Sequence, residues 1–179
     1  QGIAYAAGIF GVDVHVVVPT NVNPGKAESM RLLGADLILH GNEFDEARLH
    51  GEELASTEGY RYIHSANEPM LTAGTGTYTL EIMEDLPDVD VIIVPIGGGS
   101  GACGACIVAK SINPKVRVIG VQAEAAPAAY LSWKAGRLEQ APMKTAAEGL
   151  ATGVGYEFTQ SILIDLLDDF ILVSESELQ

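Results

Sequence analysis

Short apolar runs alternate along this chain with stretches of helical period, and the alternation predicts its elements. Val12 to Val18, Asp36 to His40, Tyr60 to His64, Val89 to Ile96, Val116 to Gln122 and Phe170 to Val173 read as strands. Gly2 to Phe10, Lys26 to Leu33, Asn42 to about Glu58, Thr75 to Glu84, Ala105 to Lys110, Ala126 to Ala135 and Thr159 to Leu167 read as helices. Gly34 suits the left-handed position after a helix. Asn42 suits an N-cap, with Asp45 and Glu46 in the favourable first turn. Ser65 to Gly74 has no clear period and reads as a crossover between two units. Strands alternating with helices imply an α/β fold of right-handed βαβ units, with parallel sheets carrying helices on both faces.

Both ends look cut. Gln1 is not a start methionine and its helix has no cap before it. Ser174-Glu175-Ser176-Glu177 is a capping box that predicts a helix where the chain stops. A fragment, incomplete at both ends, is the expectation.

The densest chemical signal is Gly97-Gly98-Gly99-Ser100-Gly101-Ala102-Cys103-Gly104, set between a buried strand and a helix start. Backbone N–H groups converge on an anion at such a place, the helix dipole favours negative charge, and glycine lets the main chain approach closely. By spacing alone Gly99-x-Gly101-x-x-Gly104, with Glu124 at the end of the next strand, is a dinucleotide fingerprint. A phosphorylated small ligand is therefore expected, and a nicotinamide dinucleotide is one candidate. The alternative is that the glycines serve close packing.

Composition narrows the partners. The 179 residues carry a net charge of −14 from 10 Lys and Arg against 24 Asp and Glu, which argues against nucleic acid. At 47% hydrophobic, the chain builds a core without staples. No apolar stretch approaches about 18 residues and no signal peptide is present, so a membrane role is not expected and a cytoplasmic location is. Cys103 and Cys106 form a C-x-x-C by letter only, without a second cysteine or histidine pair, and are expected to pack rather than bind metal. His15, His40, His50 and His64 show no ligand spacing, and no serine nucleophile elbow is evident.

Five segments, in order, carry a family resemblance. They are Pro19-x4-Pro24-x-Lys26-x4-Arg31-x-x-Gly34-Ala35; Asn67-Glu68-Pro69 with Ala73-Gly74-Thr75-Gly76-Thr77 and Leu80-Glu81; Leu86-Pro87-Asp88-Val89-Asp90 before the glycine turn; Val118-Ile119-Gly120-Val121-x-x-Glu124; and Thr145-Ala146-Ala147-Glu148-Gly149-Leu150-Ala151. Together they resemble the fold-type II pyridoxal-phosphate enzymes, in the threonine/serine dehydratase and serine racemase branch, over nearly the whole chain.

The resemblance implies a two-domain architecture, residues 1–65 belonging to the smaller domain and 66–179 to the larger, phosphate-loop domain. It implies pyridoxal 5'-phosphate as coenzyme. Its phosphate would be held by Gly97, Gly98, Gly99, Ser100 and Gly101, with Ser100 standing where the family usually has a fourth glycine. Glu148 and Gly149 fall where the family places an acidic residue and a glycine near the coenzyme ring; a charge at a helix N-terminus is the other reading of Glu148. Glu124, with the carbonyl of Ala128, matches a cation site of some members. Tyr130 takes the place of that site's remaining carboxylate, and a phenol is a poor ligand for a hard cation, so no metal is expected.

The family's lysine that carries the aldehyde lies well before the residue matching Gln1, and its substrate-gripping loop ends just before it. The partner of the pyridine nitrogen lies beyond Gln179. None of the five lysines, Lys26, Lys110, Lys115, Lys134 and Lys144, sits in the family's motif. So no catalytic residue is assigned, and this chain alone is expected to be inactive. The parent would be a lyase turning a small hydroxy-amino acid into a 2-oxo acid and ammonia, a homo-oligomer at full length. The alternatives are an amino-acid racemase of the same family, a nicotinamide-dependent Rossmann oxidoreductase, or a non-catalytic phosphate-binding module.

Overall fold

Asn23 shows how sharply local chemistry sets the elements. Its side chain accepts the N–H groups of Gly25 and Lys26 at 2.9 and 3.2 Å and starts a helix whose first residue is Pro24. Proline suits that position because the N–H it lacks would be unpaired there anyway. The computed structural model of the chain describes residues 1–178. Its contacts divide it into two units, Gln1–Tyr62 and Ile63 onward.

The first unit contains α1 (Gly2–Phe10), β1 (His15–Val18), α2 (Pro24–Leu32), β2 (Asp36–Leu39) and α3 (Phe44–Glu58). β1 and β2 pair in parallel, His15 opposite Asp36. Ala4, Met30 and Ala35 form the core on one side with Val16, Val18 and Leu37 packed on them. On the other side Gly51 of α3 approaches Val17 so closely that an added methyl would touch it at 3.5 Å. Gly34 is left-handed as expected, at φ 88°.

Three expectations for this unit change. β1 begins at His15 rather than Val12, because β2 offers it only four partners. The cap of α3 is Glu43, not Asn42, and the Glu46 carboxylate accepts the N–H groups of both Asn42 and Glu43. Tyr60 to His64 is no strand. Its alternation is spent on side-chain contacts instead: the Tyr60 ring stacks on His15 at 5.0 Å, and Tyr62 covers Gly51.

The second unit contains α4 (Pro69–Asp85), β3 (Val91–Pro95), α5 (Ser100–Ile112), β4 (Arg117–Ala123), α6 (Ala128–Ala135), a 3-10 turn (Glu148–Leu150), α7 (Glu157–Leu166) and β5 (Asp169–Val173). The three strands are parallel in the order β3-β4-β5. One sheet face, with Ile92, Val94, Val118 and Phe170, builds the core against Ala105, Ala109 and Leu163. Val91, Ile93 and Ile171 on the other face are exposed.

Two helices here start well before the pattern predicts. α4 begins at Pro69 rather than Thr75, with the Glu68 carboxylate accepting from Met70 N–H, so the segment read as irregular is half helix. α5 begins at Ser100 rather than Ala105, inside the glycine run. Glycine costs a helix about 1 kcal/mol relative to alanine, and here it allows tight packing between α4 and α5. The peptide joining Ala129 to Tyr130 in α6 is held at both poles: Gln122 accepts its N–H at 2.9 Å and Gln160 donates to its carbonyl at 3.1 Å. At the C-terminal end of β5 half of the Ser174 box forms, the Glu177 carboxylate accepting from Ser174 while the Glu177 N–H bonds the Ser174 carbonyl, and it closes a turn over residues 175–177 rather than a helix.

Candidate functional site

The glycine turn sits where β3 ends. Ile96 N–H still bonds Val121 O at 2.8 Å, and then the chain leaves the sheet. Gly99 takes φ 97°, open to glycine, and becomes the N-cap of α5. The first main-chain bond of the helix runs from Cys103 N–H to Gly99 O at 2.9 Å. The N–H groups of Ser100, Gly101 and Ala102 ahead of it therefore have no intrahelical partner. No side chain caps this end and its first turn holds no acidic residue. Unpaired donors at a positive helix pole are a fit for an anion.

Each glycine of the run has its own reason. A methyl on Gly97 would lie 2.9 Å from Leu150 Cα, so the 3-10 turn Glu148–Leu150 rests directly on the glycine turn. A methyl on Gly98 would lie 3.1 Å from Ala66 Cβ and 3.3 Å from the Tyr156 ring. The carbonyl of Gly98 accepts from Thr159 Oγ1 at 2.7 Å, turning it away from the N–H side. Gly99 faces Thr159 and Leu163. At Gly101 an added methyl meets only Tyr78 Oη, at 3.6 Å. Close packing thus accounts for Gly97 to Gly99, and the helix end beside them remains available to a ligand.

Gly104 belongs elsewhere. A methyl there would come within 2.6 Å of Gly76 N, so this glycine joins α5 to α4. Two α4 side chains secure that contact: Thr75 Oγ1 donates to Ser100 O and Tyr78 Oη to Gly101 O, both at 3.0 Å. The third glycine of the dinucleotide spacing is a helix–helix contact.

The entry to α4 braces the turn from below. His64 Nδ1 accepts the N–H groups of Ala66 and Asn67, both at 2.9 Å, and its ring meets Tyr156 edge-on at 5.0 Å. Asn67 Oδ1 accepts from Phe158 N–H at 3.3 Å. The roles of Thr75, Tyr78, Tyr156 and Thr159 were not visible in the sequence, since each bonds or packs on a residue more than twenty positions away.

Glu148 and Gly149 are exposed on their turn, and space around Gly149 is open. Glu124 is exposed at the end of β4, its N–H bonded to Val173 O at 2.8 Å. The Ala128 carbonyl already accepts from Ser132 Oγ at 2.7 Å, and Tyr130 packs on Phe170. Among the described residues no group of three His, Cys, Asp or Glu side chains is placed to hold a metal ion.

Cys103 and Cys106 are free, fully buried thiols. Burial pushes both up to about 12. Cys103 Sγ donates to Thr159 O at 3.3 Å. They line the packing surface of α5. Among the described residues no helix is long and apolar enough to cross a membrane.

The sequence model of the family described as "Pyridoxal-phosphate dependent enzyme" matches residues 1–179. An L-threonine ammonia-lyase of Thermotoga maritima is 41% identical over 179 residues, covering 99% of this chain and 45% of that protein. The processed form of threonine deaminase isoform 2 from Solanum lycopersicum superposes with a TM-score of 0.90 at 32% identity, over 97% of this chain and 51% of that one. Maize serine racemase gives a TM-score of 0.90 at 31% identity, over 97% and 53%. The chain spans about half the length of the curated relatives it matches. A dinucleotide role gives way here, since the family match runs the whole length of the sequence. On that match the chain belongs to the pyridoxal-phosphate dependent enzymes.

Proposed function

We propose that these residues form the phosphate-holding part of a lyase of the threonine/serine dehydratase type, with pyridoxal 5'-phosphate as coenzyme. The observation that carries this is the 41% identity to an L-threonine ammonia-lyase across 99% of the chain. In this reading residues 1–65 belong to the smaller domain and 66–179 to the larger. The bound coenzyme would supply an electron sink that lets a hydroxy-amino acid lose its β-hydroxyl and then ammonia, leaving a 2-oxo acid.

What this chain does is bind and orient. The N–H groups from Gly97 to Gly101, ending on the α5 pole, hold the phosphate as oriented dipoles that need no rearrangement. Ser100 adds a hydroxyl at the same place. Thr159, by holding the Gly98 carbonyl, keeps acceptor atoms off the anion. Leu150 on Gly97 fixes Glu148 and Gly149 beside the phosphate, where the open side at Gly149 leaves room for the ring. No residue of the chain is assigned to move a proton. A homo-oligomeric, cytoplasmic parent enzyme is part of the same proposal.

Titration of the chain with pyridoxal 5'-phosphate tests the reading, with inorganic phosphate as competitor. Saturable binding that phosphate displaces is expected, with no turnover of threonine or serine by the chain alone. Absence of any binding overturns it. The likeness to maize serine racemase favours a second reading, an amino-acid racemase. For the full-length enzyme, a 2-oxo acid from threonine supports the lyase, and D-serine from L-serine without it supports the racemase.

A further inference from the structure

The carboxyl ends of all three strands in the second unit anchor one segment, Lys144 to Leu150. After β4, Ala125 O accepts from Lys144 N–H at 2.9 Å. After β3, Gly97 lies under Leu150. After β5, Glu175 Oε2 accepts from Ala146 N–H at 2.8 Å. The first two anchors are main chain. Glu175 is a charged side chain, twenty-nine positions from its partner.

Glu175 is itself built into place. The Glu177 carboxylate accepts the N–H and the hydroxyl of Ser174 at 2.8 and 2.7 Å, closing the turn on which Glu175 stands. Those two bonds hold the Glu177 carboxyl below its ordinary value. The bonds between Ser174 and Glu177 thus serve to aim Glu175. The other oxygen, Glu175 Oε1, is shielded from solvent and has no hydrogen-bond partner among the described residues. Shielding a carboxylate oxygen without a donor is costly, and a residue that only finished a turn would turn that oxygen to water.

We infer that Glu175 is a positioning residue of the coenzyme site: it holds Lys144 to Leu150 across the strand ends so that Glu148 and Gly149 stay fixed beside Gly97. The inference rests on the coenzyme reading proposed above. A hydrogen bond to an ionised acceptor is stronger than a neutral one, and this bond ties the segment to the turn that follows β5. Without it the segment samples more conformations, and binding must order it again.

The test compares the unaltered chain with Glu175→Ala and Glu175→Gln. Amide hydrogen exchange without coenzyme is read at 141–151 and at α5, followed by titration with pyridoxal 5'-phosphate. Glu175→Ala is expected to speed exchange at 144–150 about tenfold, leave α5 unchanged and weaken binding roughly tenfold, ~1.4 kcal/mol. Glu175→Gln, whose amide oxygen still accepts from Ala146, is expected to stay within about twofold of the unaltered chain. Unchanged exchange and affinity in Glu175→Ala overturn the inference. If Glu175→Ala loses protection everywhere, Glu175→Asp carries the comparison: loss confined to 144–150 supports the role, and uniform loss in both variants overturns it. If the unaltered chain binds no coenzyme, the lyase reading falls, while faster exchange at 144–150 in Glu175→Ala still supports the anchor.

Discussion

Gly104 and Gly76 meet backbone to backbone: a methyl on Gly104 would lie 2.6 Å from Gly76 N, 2.8 Å from its Cα and 2.9 Å from Thr72 O. None of these atoms is the end of a flexible side chain, so the helices must separate to admit one. Overpacking of this kind costs about 1–3 kcal/mol. Gly104→Ala is therefore expected to lower the unfolding free energy, measured by denaturant titration, by about that amount. Coenzyme affinity should fall much less, because Gly104 lies outside the turn proposed to bind the phosphate. Unchanged stability would show that α4 and α5 are not in this contact.

Gly97 carries the opposite expectation. Its neighbour at 2.9 Å is the Leu150 main chain, which links the glycine turn to Glu148 and Gly149. Gly97→Ala is expected to displace that segment and weaken pyridoxal 5'-phosphate binding at least tenfold, about 1.4 kcal/mol. Isothermal titration of the two glycine variants side by side separates a packing contact proposed to reach the coenzyme site from one confined to α4 and α5.

The two thiols are expected to be silent in the folded chain. With both pushed up to about 12, the thiolate fraction at pH 8 is on the order of one in ten thousand. A thiol reagent should label neither Cys103 nor Cys106 before unfolding and both after it. Labelling of one thiol in the folded state would contradict the burial.

Asp168 sets an acid limb. Burial alone would raise its carboxyl, but Lys110 Nζ at 2.6 Å and Val118 N–H at 2.7 Å outweigh burial and leave it below its ordinary value. A lowered folded value means the unfolded chain takes up the proton first as pH falls. The stability this group contributes is complete above the ordinary aspartate range, about pH 4, and is lost as pH drops through the lowered value. Asp168→Asn should cost about 1–2 kcal/mol at neutral pH, where it leaves Lys110 without its charge partner. The difference from the unaltered chain should shrink on acidification, and chemical unfolding at a series of pH values measures it. A difference independent of pH would exclude the ion pair as its source.

Much of the fold was legible in the sequence, because helical and strand periods follow from which residues must be buried. The strand before the glycine turn, the left-handed Gly34 and the helix ends near Leu33 and Ala135 fall where residue types demand. Tyr60 to His64 misled, since alternation records which side chains are covered and not what covers them. Helix starts at Pro69 and Ser100 were hidden because glycine and threonine have low helix propensity, and the packing that overrides it lies on another helix.

By itself the sequence determined that a strand, a side-chain-free turn and a helix start would follow one another, the arrangement from which an anion site is proposed, since those consequences are local to a short stretch. It also carried the motifs that resemble one coenzyme family. Only the tertiary structure decided how the glycines divide their work: Gly97 under Leu150, Gly98 over Ala66 and Tyr156, Gly104 against Gly76. It alone brought Glu175 to Ala146 across twenty-nine positions. A missing side chain states only that space is needed. What fills the space is set by elements distant in sequence, and their approach is a property of the packed chain.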